Sequence, residues 1–232
     1  MVPVREGPVN EQLRYALRTW AANLPHRTVW IVGYRPTWLR DVEHIPTIQT
    51  GTKYQNSTSA VRAACEHSDV SERFLLMNDD FFVMRRQTIM PTLHRGPVRE
   101  VERYYAARAS GQYLSGMRET RDLLVGLGYD DPMSYELHVP LPVEKAGMAE
   151  ALDAGRYLAV VHKRTLYATL AHPLGRPLMK LVSQQSQHSN SKSSCAKDDA
   201  AESRLRLDYG RTRQVVATAA LTCRTGPIWR SP

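Results

Sequence analysis

The chain has 232 residues, 42% hydrophobic and 23% charged, with a net charge of +8; that is enough for one well-buried α/β domain, or one domain with a tail. No apolar run nears the roughly 20 residues that a membrane-spanning helix needs, and "MVPVREGPVN" lacks the basic, apolar and small-residue order of a secretion signal. Three cysteines without metal-ligand spacing suit a reducing compartment, so a soluble, cytoplasmic protein is expected.

Residues 10–24, "NEQLRYALRTWAANL", place Leu13, Leu17, Trp20 and Leu24 on one helical stripe, with Asn10 as N-cap and Pro25 as the stop. "TVWIVG" (28–33) is a short β-branched run closed by glycine and reads as a buried strand. "SAVRAACEH" (59–67) reads as a helix and "RFLLMNDD" (73–80) as a second buried strand. This alternation predicts a mostly parallel sheet flanked by helices, in which ligands bind beyond the carboxyl ends of the strands. Asp79 and Asp80 fall at such an end.

Residues 96–110 and 115–128 read as helices, the second stopped by Gly126 and Gly128. Residues 135–152 start extended and enter a helix near Pro142, a favourable first-turn residue. Residues 156–170 fit a strand or a helix equally well. From Ser183 the chain turns Ser- and Gln-rich, with too little apolar surface to offset the entropy of ordering. The reading is therefore a folded domain over 1–182 and a disordered tail over 183–232. Each part carries +4 of the net charge, so the basic character is concentrated in the tail. That balance suits anionic partners without choosing among them. No Walker or dinucleotide-type glycine loop, helix-turn-helix, zinc finger or RNP signature is present.

Three groups of residues carry candidate chemistry. The adjacent carboxylates of "NDDFF" repel each other, and burial is costly unless a cation or hydrogen-bond donors compensate. Oxygen ligands of this kind suit Mg²⁺ or Mn²⁺ with phosphate oxygens completing the shell. The same pair would also serve in a solvated turn, with Asp79 capping a helix. In "ELHVPLPVEK", His138 stands on backbone stiffened by prolines at +2 and +4, which suits a fixed acid or base and equally a structural histidine. Arg14 and Arg18, one helical turn apart, would hold phosphate or lie on a solvated face; "HKRTLY" (162–167) offers a further basic group with the same two readings.

The order of these motifs along the chain resembles the central region of the Stealth family. The similarity lies in Glu11, the run Leu13 to Arg18, Pro36, Trp38, Leu39, Asn56, Ser57 and the run Phe74 to Phe82. "ELHVPLPVEK" and "HKRTLY" are similar to the family's third region, so the resemblance covers about residues 10–170. Members transfer a sugar 1-phosphate from a nucleotide sugar to an acceptor hydroxyl, and compact forms resemble proteins encoded by actinobacterial phages. The resemblance implies a GT-A-like, nucleotide-sugar-binding fold acting in the host cytoplasm.

It further implies Asp79, Asp80 and His138 as catalytic residues, with the two aspartates on Mg²⁺ or Mn²⁺. Arg14, Arg18, Asn56, Ser57, Asn78, Lys145 and Arg164 would bind a donor such as UDP-GlcNAc, and the acceptor would be a glycan or protein, with no role for nucleic acid. The family's acidic first region is reduced here to "MVPVREGP", and its fourth region has no counterpart after Leu170. Two alternatives stand beside sugar-phosphate transfer: a glycosyltransferase that releases nucleoside diphosphate, and a non-catalytic binder of nucleotide sugar or nucleic acid.

Overall fold

Ile31 and Val32 adjoin in the chain and both are fully buried, yet they belong to different hydrophobic cores. Side chains alternate across a strand, so the strand that carries them is covered on both faces. The computed structural model describes residues 1–107, 111–171 and 179–180. The expected tail over 183–232, the domain boundary before it and the end of the 96–110 helix lie outside the described residues.

The elements follow in the order β1 (Val2–Val4), α1 (Glu11–Asn23), β2 (Trp30–Gly33), β3 (Glu43–Ile45), α2 (Lys53–Glu66), β4 (Arg73–Leu76), β5 (Leu93–His94), α3 (Val98–Ala106), α4 (Gln112–Gly126), β6 (Leu141–Glu144), α5 (Lys145–Ala154), α6 (Lys163–Ala171) and β7 (Met179–Lys180). β1, β2 and β3 form a parallel sheet in that order, with Val2 opposite Ile31 and Val32 opposite Ile45. β4 pairs antiparallel with β6, and β5 pairs parallel with β7.

Two backbone hydrogen bonds stitch the first two sheets together: Met1 donates to the Leu75 carbonyl at 2.9 Å, and Met77 donates to the Met1 carbonyl at 2.9 Å. One residue bonding to both neighbours of its opposite number is the parallel pattern. The strands therefore stand side by side as β3-β2-β1-β4-β6, parallel except for β6 at the edge. Pro3 fits in β1 because its missing N–H falls on the β4 side at a level past Leu76, where β4 has ended, rather than on the β2 side.

On one face α1 sets Leu13, Ala16 and Trp20 against Val2, Val4 and Ile31. On the other face α2, α5 and α6 cover Val32, Ile45 and Leu76. Each fully buried Val, Leu or Ile contributes roughly 1.5–3 kcal/mol relative to exposure, so the two layers together fix which face each strand presents. A mixed α/β fold with a small parallel sheet between helices is thus what the chain forms.

Several boundaries differ from expectation. The second strand stops at Leu76 rather than residue 80, and Asn78 to Phe81 forms a turn, Phe81 N–H meeting the Asn78 carbonyl at 3.3 Å. α2 begins at Lys53, six residues ahead of the apolar run, because Thr52 and Gln55 close a capping box. Pro142 lies inside β6, opposite Leu75, and the helix waits until Lys145; an edge strand has no ladder partner for the N–H that proline lacks. Residues 163–171 settle as the helix α6. Asn10 occupies the N-cap position of α1 with φ 51° but makes no side-chain cap; its amide donates instead to the Arg5 carbonyl at 3.1 Å.

Candidate active site

The strand order reverses between β1 and β4, and in open α/β sheets ligands bind beyond the carboxyl ends at such a switch point. Arg5 follows β1 there, and Asn78, Asp79 and Asp80 follow β4. His138 enters from the third side, at a bend shared with Val139 rather than on extended backbone, in the segment that leads into β6 beside β4.

The His138 Nδ1 atom lies 3.6 Å from Asp80 Oδ2, with the two side chains 59% and 36% exposed. That is ion-pair range and longer than a formed hydrogen bond; catalytic hydrogen bonds are commonly long before substrate arrives. The His138 ring also sits 5.9 Å from the Phe81 ring, centroid to centroid. The two carboxyls are pushed in opposite directions. His138 holds Asp80 below the ordinary carboxylate range, against the opposing effect of burial. Burial raises Asp79, the Asp80 charge raises it further, and Arg5 offsets part of the rise. Neighbouring carboxyls driven apart in this way are a pattern of acid–base sites.

Beneath them, Arg164 is 5% exposed and faces inward. Its guanidinium donates to the Val139 carbonyl at 2.7 Å, the Leu76 carbonyl at 3.3 Å and Asn78 Oδ1 at 3.4 Å, and lies 5.2 Å from the Phe81 ring centroid. It ties the end of β4 to the strap that carries His138. An expected phosphate clamp is thereby committed to protein oxygens, and its positive charge reaches Asp80 from below.

Glu136, two residues before His138, fixes the other end of that strap. Its Oε1 accepts from the backbone N–H groups of Arg164 at 2.9 Å and Thr165 at 3.2 Å, capping the start of α6.

Asp79, Asp80, His138, Asn78 and Arg164 thus come together, and the remaining expected residues lie elsewhere. Lys145 is 9% exposed and donates to the carbonyls of His67 at 2.8 Å and Val70 at 3.1 Å. Those carbonyls lie just past the end of α2, and Lys145 follows Glu144, the partner of Arg73 at the opposite end of β4. The expectation that Lys145 serves the donor is corrected: the open carbonyls beyond a helix terminus draw it there.

Asn56 spends its side-chain amide on Gly51, accepting from its N–H at 3.1 Å and donating to its carbonyl at 3.0 Å. Ser57 follows it in α2, at the start of the second turn. Arg14 and Arg18 lie on the outer flank of α1, lining a separate cleft.

Arg5 and Glu136 were not singled out in the sequence. A strand assigned to "VPV" would have put Arg5 at a carboxyl end. Nothing local marks Glu136, since its partners lie 28 and 29 residues downstream.

The pair Asp79–Asp80 fits a hard divalent cation. Asp80 Oδ1 is buried and has no hydrogen-bond partner, the condition that a cation or donor would relieve. Among the described residues no three or more His, Cys, Asp and Glu side chains gather as a metal site, so phosphate oxygens and water would complete the shell. No helix of the described residues is long and apolar enough to cross a membrane. No protein-family model matches the chain, and no curated protein matches it.

Proposed function

We propose that the protein is a transferase that passes a sugar 1-phosphate from a nucleotide sugar to an acceptor hydroxyl on a glycan or protein. One observation carries the reading: two carboxyls of opposite tendency and a histidine at ion-pair distance meet where the strand order reverses. The ordered resemblance of the motifs to the Stealth family and the GT-A-like layout it implies support it.

In this reading Asp80 accepts from His138 Nδ1–H and fixes the tautomer, leaving Nε2 to take the acceptor hydroxyl proton. The acceptor oxygen forms a bond to the sugar-linked phosphorus. The pyrophosphate bridge bond breaks, and nucleoside monophosphate departs with the electron pair. Arg5, on the rim beside Asp79, meets the negative charge of the diphosphate. Positioning and charge stabilisation supply most of the rate in phosphoryl transfer. Asp79 and Asp80 would hold Mg²⁺ or Mn²⁺, which when bound neutralises phosphate charge.

The test is the nucleotide released from a panel of nucleotide sugars with Mg²⁺ or Mn²⁺ and a crude acceptor. Nucleoside monophosphate, lost in His138→Ala and in Asp79→Asn, is the expected product. Nucleoside diphosphate would replace this reading with glycosyl transfer at the anomeric carbon. Absence of both products, with a control transferase active in the same mixture, would leave a binding protein.

A further inference from the structure

A second concave site lies on the outer flank of α1. The cleft measures about 380 Å³, within the range of small-molecule sites of roughly 300–1,000 Å³. Its floor is apolar, from Leu17, Ala21, Val29 and Leu39, and its rim carries Arg14, Arg18, Arg40 and His26. Asp41 is the carboxylate among the lining residues.

The arginines here are arranged for use outside the fold. Arg14 stacks over Trp38, with its Cζ 4.7 Å from the ring centroid, and touches Glu11 at 3.5 Å. A guanidinium held by its face keeps for an oxyanion the N–H edge that Glu11 does not meet. Arg18 lies over Tyr15, with its Cζ 5.6 Å from the ring centroid, and among the described residues neither Arg18 nor Arg40 has a carboxylate partner. Trp38 is itself anchored, its indole N–H donating to the Val9 carbonyl at 2.9 Å. That carbonyl belongs to the loop that carries Arg5, so the cleft and the crevice share one loop.

We propose that this cleft binds a phosphorylated sugar, with phosphate between the arginines and the sugar against the apolar floor. Asp41 selects this chemistry over a bare polyanion: its carboxylate accepts from sugar hydroxyls and repels a second closely spaced phosphate. His26 adds a further polar contact, since its Nδ1 is already at 2.6 Å from the Leu24 carbonyl and Nε2 remains. A nucleic-acid strand needs a track of charges, whereas these line one cleft. Binding in this cleft does not depend on the proposed transfer.

The experiment is calorimetric titration of the full chain with glucose 1-phosphate, glucose and inorganic phosphate. It is run on the native protein, the Arg18→Gln/Arg40→Gln double variant and Asp79→Asn. Both arginines are exposed, and an unchanged melting temperature verifies the double variant's fold. Glucose 1-phosphate is expected to bind at least tenfold more tightly than either fragment, to weaken at least tenfold in the double variant, and to be unaffected by Asp79→Asn. The methyl phosphodiester of the same sugar binding equally well assigns the site to a chain-linked phosphate; weaker binding assigns it to the free sugar phosphate.

The proposal is overturned if the double variant binds as the native protein does, or if inorganic phosphate binds as tightly as the sugar phosphate. A single-stranded oligonucleotide that outcompetes glucose 1-phosphate with a steep salt dependence would also overturn it. Loss of binding in Asp79→Asn alone would place the ligand in the crevice, ending this inference while leaving the transferase reading intact.

Discussion

Arg164 donates from Nη2 to the Leu76 carbonyl at 3.3 Å, so the first turn of α6 holds the last residue of the strand that precedes the carboxylates. The same side chain donates to Val139 O at 2.7 Å, which makes it the link between the two segments that bring Asp80 and His138 face to face. Lysine carries the charge but has no planar fork to serve acceptors in different directions. Arg164→Lys is therefore expected to cost about 2–3 kcal/mol, the usual penalty for buried acceptors left unpaired. Urea unfolding measures it. A loss under 0.5 kcal/mol would show that the bridge does not hold these segments.

Asp79 and Asp80 should respond oppositely to amidation. Burial and the Asp80 charge raise Asp79, so its carboxylate disfavours the folded state above the ordinary carboxyl pKa, and that penalty fades as pH falls toward 3.8. Asp79→Asn should stabilise the protein by about 1 kcal/mol at pH 7, or about 2–4 °C in melting temperature, while abolishing turnover. Asp80 is lowered by His138; its contribution is present above the ordinary value and lost as acid protonates it. Asp80→Asn should lower the melting temperature at pH 7. Two shifts of the same sign would contradict this division between the carboxyls.

The strand–helix alternation was legible because Ile31 and Val32 form a β-branched run and Leu13, Leu17 and Trp20 keep a helical interval. β1 escaped because three residues around a proline carry no periodicity; only partners on both sides, Ile31 and Leu75, make them a strand. The carboxylates and His138 were legible as residues whose burial or stiffness needed a reason. Lys145 was misassigned because a sequence shows that a lysine is near a motif but not which way its long side chain turns. Arg14 and Arg18 were legible as a pair, whereas the cleft they line depends on the return of residues 38–42 beside α1.

Gly33 ends β2 with φ +110°, and a Cβ built there would come 2.5 Å from the Val4 carbonyl oxygen and 2.2 Å from Gln49 Nε2. The Gln49 amide could swing aside, but it donates to that same carbonyl at 2.6 Å, and the backbone oxygen cannot move without disturbing β1. Conformational strain and the clash act together, so Gly33→Ala should cost about 3 kcal/mol, or roughly 6–12 °C in melting temperature. A variant within 2 °C of the native protein, as an order-of-magnitude threshold, would mean that the end of β1 yields easily.

His162 gives the protein a pH limit away from the carboxyls. The ring is 3% exposed, its Nε2 lies 3.0 Å from the Tyr113 carbonyl and its backbone N–H meets Thr120 Oγ1 at 3.2 Å. Burial lowers its pKa, against a smaller opposing effect of Glu136, so the folded protein favours the neutral Nε2–H ring. The unfolded chain then binds the proton more readily. Stability is complete above the ordinary value of 6.5 and is lost as pH falls through it toward the folded pKa. His162→Gln keeps a donor toward Tyr113 and removes the titration. Between pH 7.5 and 5.5, as a window of about one unit on either side of that value, unfolding free energy should fall more for the native protein than for the variant. Parallel losses in the two proteins would assign the acid sensitivity to other groups, among them the buried Met1 amine, whose pKa burial lowers to about 5.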